Sequence, residues 1–166
     1  MEIVRLSAVH CKGLLSLYRT VTAHLRDSGI HQWDWFYPNG FVIQGDIRRG
    51  AAYGILDGNQ IIGAMAVDDR QSDQYHGLPW SDPFELPACI HRLAVHPAHQ
   101  GQGHGKRLLC FAEEEARLNG ATSIRLDVFS GNAGAVQMYL RAGYAEVGTI
   151  RFPMRRAPYI CMEKLL

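Results

Sequence analysis

Three glycines at alternate positions, Gly101, Gly103 and Gly105, within the run Gln100, Gly101, Gln102, Gly103, His104, Gly105, Lys106, constrain this chain more than any other stretch. Upstream, Ile90, His91, Arg92, Leu93, Ala94 and Val95 read as a strand closed by the turn formers His96 and Pro97. Downstream, Leu108, Phe111, Ala112, Glu115, Ala116 and Leu118 recur at helical spacing until Asn119 and Gly120 stop the helix. The order is therefore strand, glycine turn, helix. At such a junction the first amides of the helix have no partner in the helix, its dipole presents a positive end, and residues without a Cβ let an anion approach the backbone.

Spacing separates the nucleotide-binding turns that share this chemistry. A dinucleotide fingerprint needs GxGxxG, whereas Gly101, Gly103 and Gly105 give GxGxG. A P-loop needs GxxxxGK followed by Ser or Thr for magnesium, whereas Arg107 follows Lys106. A kinase or a dehydrogenase is thereby excluded. The pattern QxxGxG, read as Gln100, Gly103 and Gly105, resembles the pyrophosphate-binding signature of the GNAT superfamily of N-acetyltransferases. The segment 90–106 resembles that family's central strand and coenzyme A loop. Asn132, Ala135, Tyr139, Gly143 and Tyr144 then match, in order, its second motif on the helix after the next strand. Specific motifs span 88–148. The resemblance implies one N-acetyltransferase domain over 1–166, of α/β (α+β) class. Its sheet is expected to be mixed and largely antiparallel, of six or seven strands, flanked by about four helices, with a splayed central strand pair.

Composition agrees with one domain. Of 166 residues, 47% are hydrophobic, enough for one substantial core. Seventeen Lys and Arg against sixteen Asp and Glu leave no basic excess to follow a phosphate backbone, so nucleic acid is not an expected partner. No apolar run approaches the ~20 residues of a membrane span, and the first residues lack a basic segment followed by an apolar one. A cytoplasmic protein without membrane attachment is expected. Cys11, Cys89, Cys110 and Cys161 are widely spaced, three of them among apolar neighbours, as buried thiols in a reducing compartment would be. His96, His99 and His104 cluster near the glycine turn, but no carboxylate completes a coordination set, so no metal is expected.

Along the rest of the chain, a strand over 2–6 precedes a helix capped near Ser7, whose apolar face is Leu14, Leu17, Tyr18, Val21 and Leu25. Four aromatics, Trp33, Trp35, Phe36 and Tyr37, then crowd into five positions before a short helix over 41–49. Residues 51–56 and 60–67 flank the turn Asp57, Gly58, Asn59 as a hairpin. A long polar loop follows over 68–87. A strand over 123–129, a helix capped by Asn132 with Ala135, Val136, Tyr139 and Leu140 buried and Gly143 as its stop, and strands over 144–150 and 158–165 complete the order.

The resemblance assigns chemistry to particular residues. Acetyl-CoA is the implied co-substrate: Gln100, Gly101, Gln102, Gly103, His104, Gly105 and Lys106 would hold its pyrophosphate. Leu93, Ala94 and Val95 would align its pantetheine arm through the backbone, with Asn132 contacting that arm. Tyr139 is the candidate general acid for the leaving thiolate. The base has no fixed place in the family; His91 on the central strand and Glu85 in the loop before it are candidates, with Asp82 an alternative. Trp33, Tyr37 and Asp127 are expected to line the acceptor site. Asp68, Asp69, Asp73, Asp82 and Glu85 against Arg70 alone make the long loop negative, which favours a cationic amine. The expected reaction is acetyl transfer to a primary amine of a small molecule or peptide by direct attack in a ternary complex. The alternative is a sensor that binds CoA without transfer. The resemblance also implies a possible homodimer. The segment 151–156 is a candidate contact arm, and Arg155 and Arg156 are candidates for the adenosine phosphate.

Overall fold

A computed structural model of the chain describes residues 1–153, 155 and 157–166. In chain order the elements are β1 (Ile3–Arg5), α1 (Cys11–Asp27), α2 (Gly40–Arg48), β2 (Ala52–Asp57), β3 (Gln60–Asp68), β4 (Pro87–Val95), α3 (His104–Leu118), β5 (Ser123–Phe129), α4 (Ala133–Arg141), β6 (Ala145–Ile150) and β7 (Tyr159–Leu165). The strands form one sheet in the order β1-β2-β3-β4-β5-β7-β6, largely antiparallel, in which β4 runs parallel to β5. This is the mixed seven-stranded, four-helix fold that the resemblance implies. The chain divides into two compact units, Met1–Val67 with Arg92–Ala112, and Asp68–His91 with Glu113–Leu166.

In the first unit, α1 buries the face its periodicity predicts, Leu14, Leu17, Tyr18, Val21 and Leu25, against Leu6, Trp33, Ile43, Ala52, Ile61, Ala64 and Ala94. Ser7 does not cap α1 itself. A 3₁₀ turn over Ala8–His10 intervenes, and the Ser7 amide donates to His10 Nδ1 at 3.0 Å. Helix α2 starts one residue earlier than expected because Asn39 Oδ1 accepts from the amides of Phe41 and Val42, at 3.0 and 3.1 Å. β2 and β3 form the expected hairpin, Asp57 opposite Gln60, with Gly58 at φ +55 in its turn.

The aromatic segment divides. Trp33 is buried, its ring meeting Tyr18 edge-on at 5.6 Å, and Tyr37 is half-buried. Trp35 and Phe36 stay 68% and 82% exposed, because Asp34 Oδ1 accepts from the amides of Phe36 and Tyr37 and holds a turn there.

The second unit is built on β5 and β7, antiparallel along their whole length from Ser123 opposite Leu165 to Phe129 opposite Tyr159. β4 meets β5 at Pro87, Ala88 and Cys89. The long loop is tied down rather than solvated. Its 3₁₀ turn Asp73–Tyr75 places Tyr75 in a core with Cys89, Ile150, Tyr159 and Cys161. Buried Arg125 donates to Glu163 Oε1 at 2.9 Å and to Gln71 Oε1 at 2.7 Å, and its guanidinium lies 4.3 Å from the centre of the Trp80 ring.

Helix α4 is capped by Asn132, whose Oδ1 accepts from the Ala135 amide at 3.2 Å, and ends before Gly143 at φ +89. Two expectations of burial fail on helices. Leu140 is 37% exposed on the outer side of α4, and Cys110 is exposed because α3 turns Leu108, Leu109, Ala112 and Ala116 inward instead. Of the proposed arm, Met154 and Arg156 lie outside the described residues, so the reading of Arg156 as a phosphate contact does too; the Arg155 amide donates to Phe152 O at 3.1 Å.

Candidate functional site

In the first unit, Leu93, Ala94 and Val95 end β4 and lead into the glycine turn. Gln100 reaches back, its Nε2 donating to Val95 O at 3.1 Å, and His96 Nδ1 accepts from the Ala98 amide at 3.2 Å. Gly101 and Gly103 take φ +74 and +82, left-handed values that a residue with a side chain rarely adopts, while Gly105 lies in the first turn of α3. A Cβ at either Gly101 or Gly103 would have nothing within 4 Å, so both face open space. The first rung of the α3 ladder is Arg107 N–H on Gly103 O at 3.0 Å, which leaves the amides of His104, Gly105 and Lys106 ahead of it.

This turn fits a diphosphate. Amides and the helix dipole point positive, Lys106 is exposed beside them, and no acidic side chain occurs over 96–107. Buried His104, 6% exposed, has both ring nitrogens without a hydrogen-bond partner among the described residues, and its ring lies 6.3 Å from that of His99. Among the described residues no group of three or more His, Cys, Asp or Glu side chains is placed to hold a metal ion.

Also in this unit, Arg92 of β4 takes φ +55 and bonds to Asp46 and Tyr37. Sequence reading missed Asp46. Its signal was present: an acidic residue three positions after Ile43 on the apolar face of a short helix needs a buried partner. Trp33, expected in a substrate wall, belongs to the core.

In the second unit, Tyr139 of α4 is buried, with its ring edge-on to Tyr144 at 5.7 Å. Burial and, next to it, the negative charge of Asp127 raise its pKa above that of an ordinary phenol, so it is protonated at neutral pH. Asp127, half-buried on β5, accepts from Tyr75 Oη at 2.8 Å. Its charge is felt as well by Cys89 and Cys161, whose thiols burial pushes up to about 12. His91 Nε2 lies 3.0 Å from Asp68 Oδ1, with the two side chains 22% and 13% exposed. Asp68 also raises the Cys89 thiol, so Asp68 and Asp127 act on the same thiol.

Glu85 and Asp82 are placed elsewhere. Glu85 is exposed just after a turn, at φ +53, and the four residue steps from Pro87 to His91 along β4 alone span about 13 Å. Asp82 is buried, and its carboxylate accepts from Thr122 Oγ1 at 2.6 Å, Ser123 Oγ at 2.9 Å, and the amides of Phe84 and Leu86 at 3.0 and 3.3 Å. Burial pushes its pKa up, but these hydrogen bonds outweigh that and hold it below the ordinary carboxylate value. These bonds make Asp82 an anchor for the loop.

Residues 16–144 match the acetyltransferase (GNAT) family. An uncharacterised N-acetyltransferase of Bacillus subtilis, YesJ, is 29% identical over 126 residues, 75% of this chain and 70% of that protein. Among solved structures, a GNAT-family acetyltransferase of Streptococcus agalactiae superposes with a TM-score of 0.84 at 19% identity, covering 99% of this chain and 95% of the other. The PaiA N-acetyltransferase of Thermoplasma acidophilum, solved in complex with coenzyme A, gives 0.75 at 19% identity, covering 99% and 98%. At these identities the two structures establish the fold.

Proposed function

We propose, because the chain belongs to the acetyltransferase (GNAT) family, that it transfers the acetyl group of acetyl-CoA to the primary amine of a cationic small molecule or peptide, by direct attack within a ternary complex. The observation that carries this reading is the open glycine turn at the start of α3, whose backbone is shaped for a diphosphate. Acetyl-CoA supplies an acyl group activated as a thioester. Residues 100–106 hold its pyrophosphate, the backbone of Leu93, Ala94 and Val95 aligns its arm, and Asn132 contributes to that contact while capping α4.

Tyr139 carries the acid role. Its phenol is protonated throughout the neutral range, and Tyr139 Oη delivers that proton to the sulphur as the C–S bond breaks. His91 carries the base role in place of Glu85. With Nε2 turned to Asp68, its Nδ1 takes a proton from the acceptor ammonium, directly or through water, and frees the nitrogen lone pair that forms the new C–N bond; the second proton, which the nitrogen sheds as the amide forms, returns through water to the Tyr139 phenolate. Asp127 and Tyr37 are the acceptor-site residues retained, Asp127 supplying negative charge for a cationic amine. Free cysteines support a cytoplasmic setting, and the family resemblance supports a homodimer.

A CoA-binding sensor would need the glycine turn but neither a protonated buried Tyr139 nor an imidazole held by a carboxylate, so those two features favour the enzyme. Thiol release from acetyl-CoA, followed across alkyl monoamines, polyamines, amino acids, amino sugars and peptides, tests the proposal. Amine-dependent release, strongest for acceptors with a second positive charge, is expected. Tight CoA binding with no thiol released for any acceptor would overturn it in favour of the sensor.

A further inference from the structure

β4 contains a residue that its local sequence gives no reason to strain. Arg92 lies within the strand yet takes φ +55, the left-handed region that side-chain-bearing residues avoid. Contacts from α1, α2 and the aromatic segment hold it there. Tyr18 Oη of α1 donates to Arg92 O at 3.0 Å. The guanidinium donates through Nη2 to both Asp46 oxygens at 2.7 Å and through Nε to Asp46 Oδ2 at 3.0 Å. Nη1 donates to Tyr37 Oη at 2.9 Å. Asp46, 2% exposed, takes a further bond from Arg49 Nη2 at 2.7 Å.

Placing an arginine and an aspartate almost out of water costs more than an apolar pair of the same volume would, so the clamp is poorly explained as a source of stability. It is well explained as a device that fixes geometry. A single left-handed residue in a strand bends the chain and re-aims the groups that follow it. The groups that follow Arg92 are those of Leu93, Ala94 and Val95.

We infer that Arg92 is a positioning residue of acetyl transfer: clamped by Asp46, Tyr37 and Tyr18, it keeps β4 bent so that the backbone of residues 93–95 is aimed for the thioester arm. This rests on the transferase reading above. Its side chain acts through the backbone, so what matters is that φ is held positive and not that a positive charge is present.

Two double variants separate these roles. Arg92→Gly with Asp46→Asn and Arg92→Ala with Asp46→Asn remove the same charges, but glycine adopts φ +55 freely whereas alanine resists it. Both are assayed for amine-dependent thiol release below their measured melting temperatures, with CoA affinity read by calorimetry. The glycine variant is expected to exceed the alanine variant in kcat by about tenfold, the size of the left-handed penalty, while both bind CoA alike. Equal kcat in the two overturns the inference. If either double variant does not fold, Tyr18→Phe serves instead, removing only the hydrogen bond to Arg92 O: a lower kcat at unchanged CoA affinity is expected, and an unchanged kcat overturns the inference. A wild-type chain that releases no thiol with any amine would instead count against the transferase reading itself.

Discussion

Replacing Gly101 and Gly103 with alanine tests the donor turn in a way the structure makes quantitative. A methyl at either position would have nothing within 4 Å, so no clash accompanies the change. What remains is the backbone, at φ +74 and +82. An L-residue held in the left-handed region costs about 1–2 kcal/mol, partly offset by the ~0.4–1 kcal/mol that alanine gains by restricting the unfolded chain. The loop is exposed, so it can relax when empty and must be forced back when a diphosphate binds. The cost then falls on affinity, and 1–2 kcal/mol per site corresponds to a Kd for CoA weaker by about 5- to 30-fold. Calorimetric titration with CoA and with pantetheine, which lacks the pyrophosphate, isolates the contact. CoA affinity should fall in each variant while pantetheine affinity does not. Gly40→Ala is the control, at the first residue of α2 with ordinary φ and nothing within 4 Å, and it should leave CoA binding unchanged. Undiminished CoA affinity in the double alanine variant, or an equal loss for pantetheine, would refute the assignment of this turn.

Three further outcomes follow from individual side chains. Asp82→Asn should cost about 1–3 kcal/mol at neutral pH by leaving buried donors poorly matched. Because the folded pKa of Asp82 is lowered, its contribution is complete above the unfolded value of about 3.9 and lost as pH falls through the folded value, so urea melts should show the deficit shrinking in acid; an equal deficit at pH 7 and pH 3 would contradict this. In the native protein iodoacetamide should modify exposed Cys110 but spare Cys89 and Cys161, which are buried and pushed up to about 12, as peptide mass mapping before and after denaturation can verify. His91→Gln should lower kcat by roughly 10²-fold at neutral pH, with the gap to wild type narrowing as pH nears the ~10 at which an alkylamine loses its own proton. A gap that does not change with pH would remove His91 as the base.

What the sequence reveals and what it hides divides along contact range. The glycine turn, the buried face of α1, the Asn132 cap and the β2–β3 hairpin are legible because each is decided by residues within a few positions of one another. Cys110 was legible in principle, since the helical spacing of Leu108, Leu109, Ala112 and Ala116 already turns it outward. The aromatic segment was not, because an irregular run has no period from which to choose Trp33 for the core and leave Trp35 and Phe36 in water. Nor were the partners of the charged side chains. Arg92 and Asp46 are 46 positions apart, Asp82 and Thr122 are 40 apart, and His91 and Asp68 are 23 apart. Only the fold brings such partners within hydrogen-bond distance. The same limit applies to Asp82 and Glu85: composition places a carboxylate in a loop but does not say what donates to it.

The central claim is that this chain moves an acetyl group with Tyr139 as the acid, and the most direct test compares thiol release by wild type and Tyr139→Phe at saturating acetyl-CoA with the best acceptor amine. Loss of the phenolic proton should lower kcat by about 10²–10⁴-fold, with CoA affinity and melting temperature close to wild type. A variant that turns over as fast as wild type would contradict the account, returning Tyr139 to the role of a core aromatic packed on Tyr144.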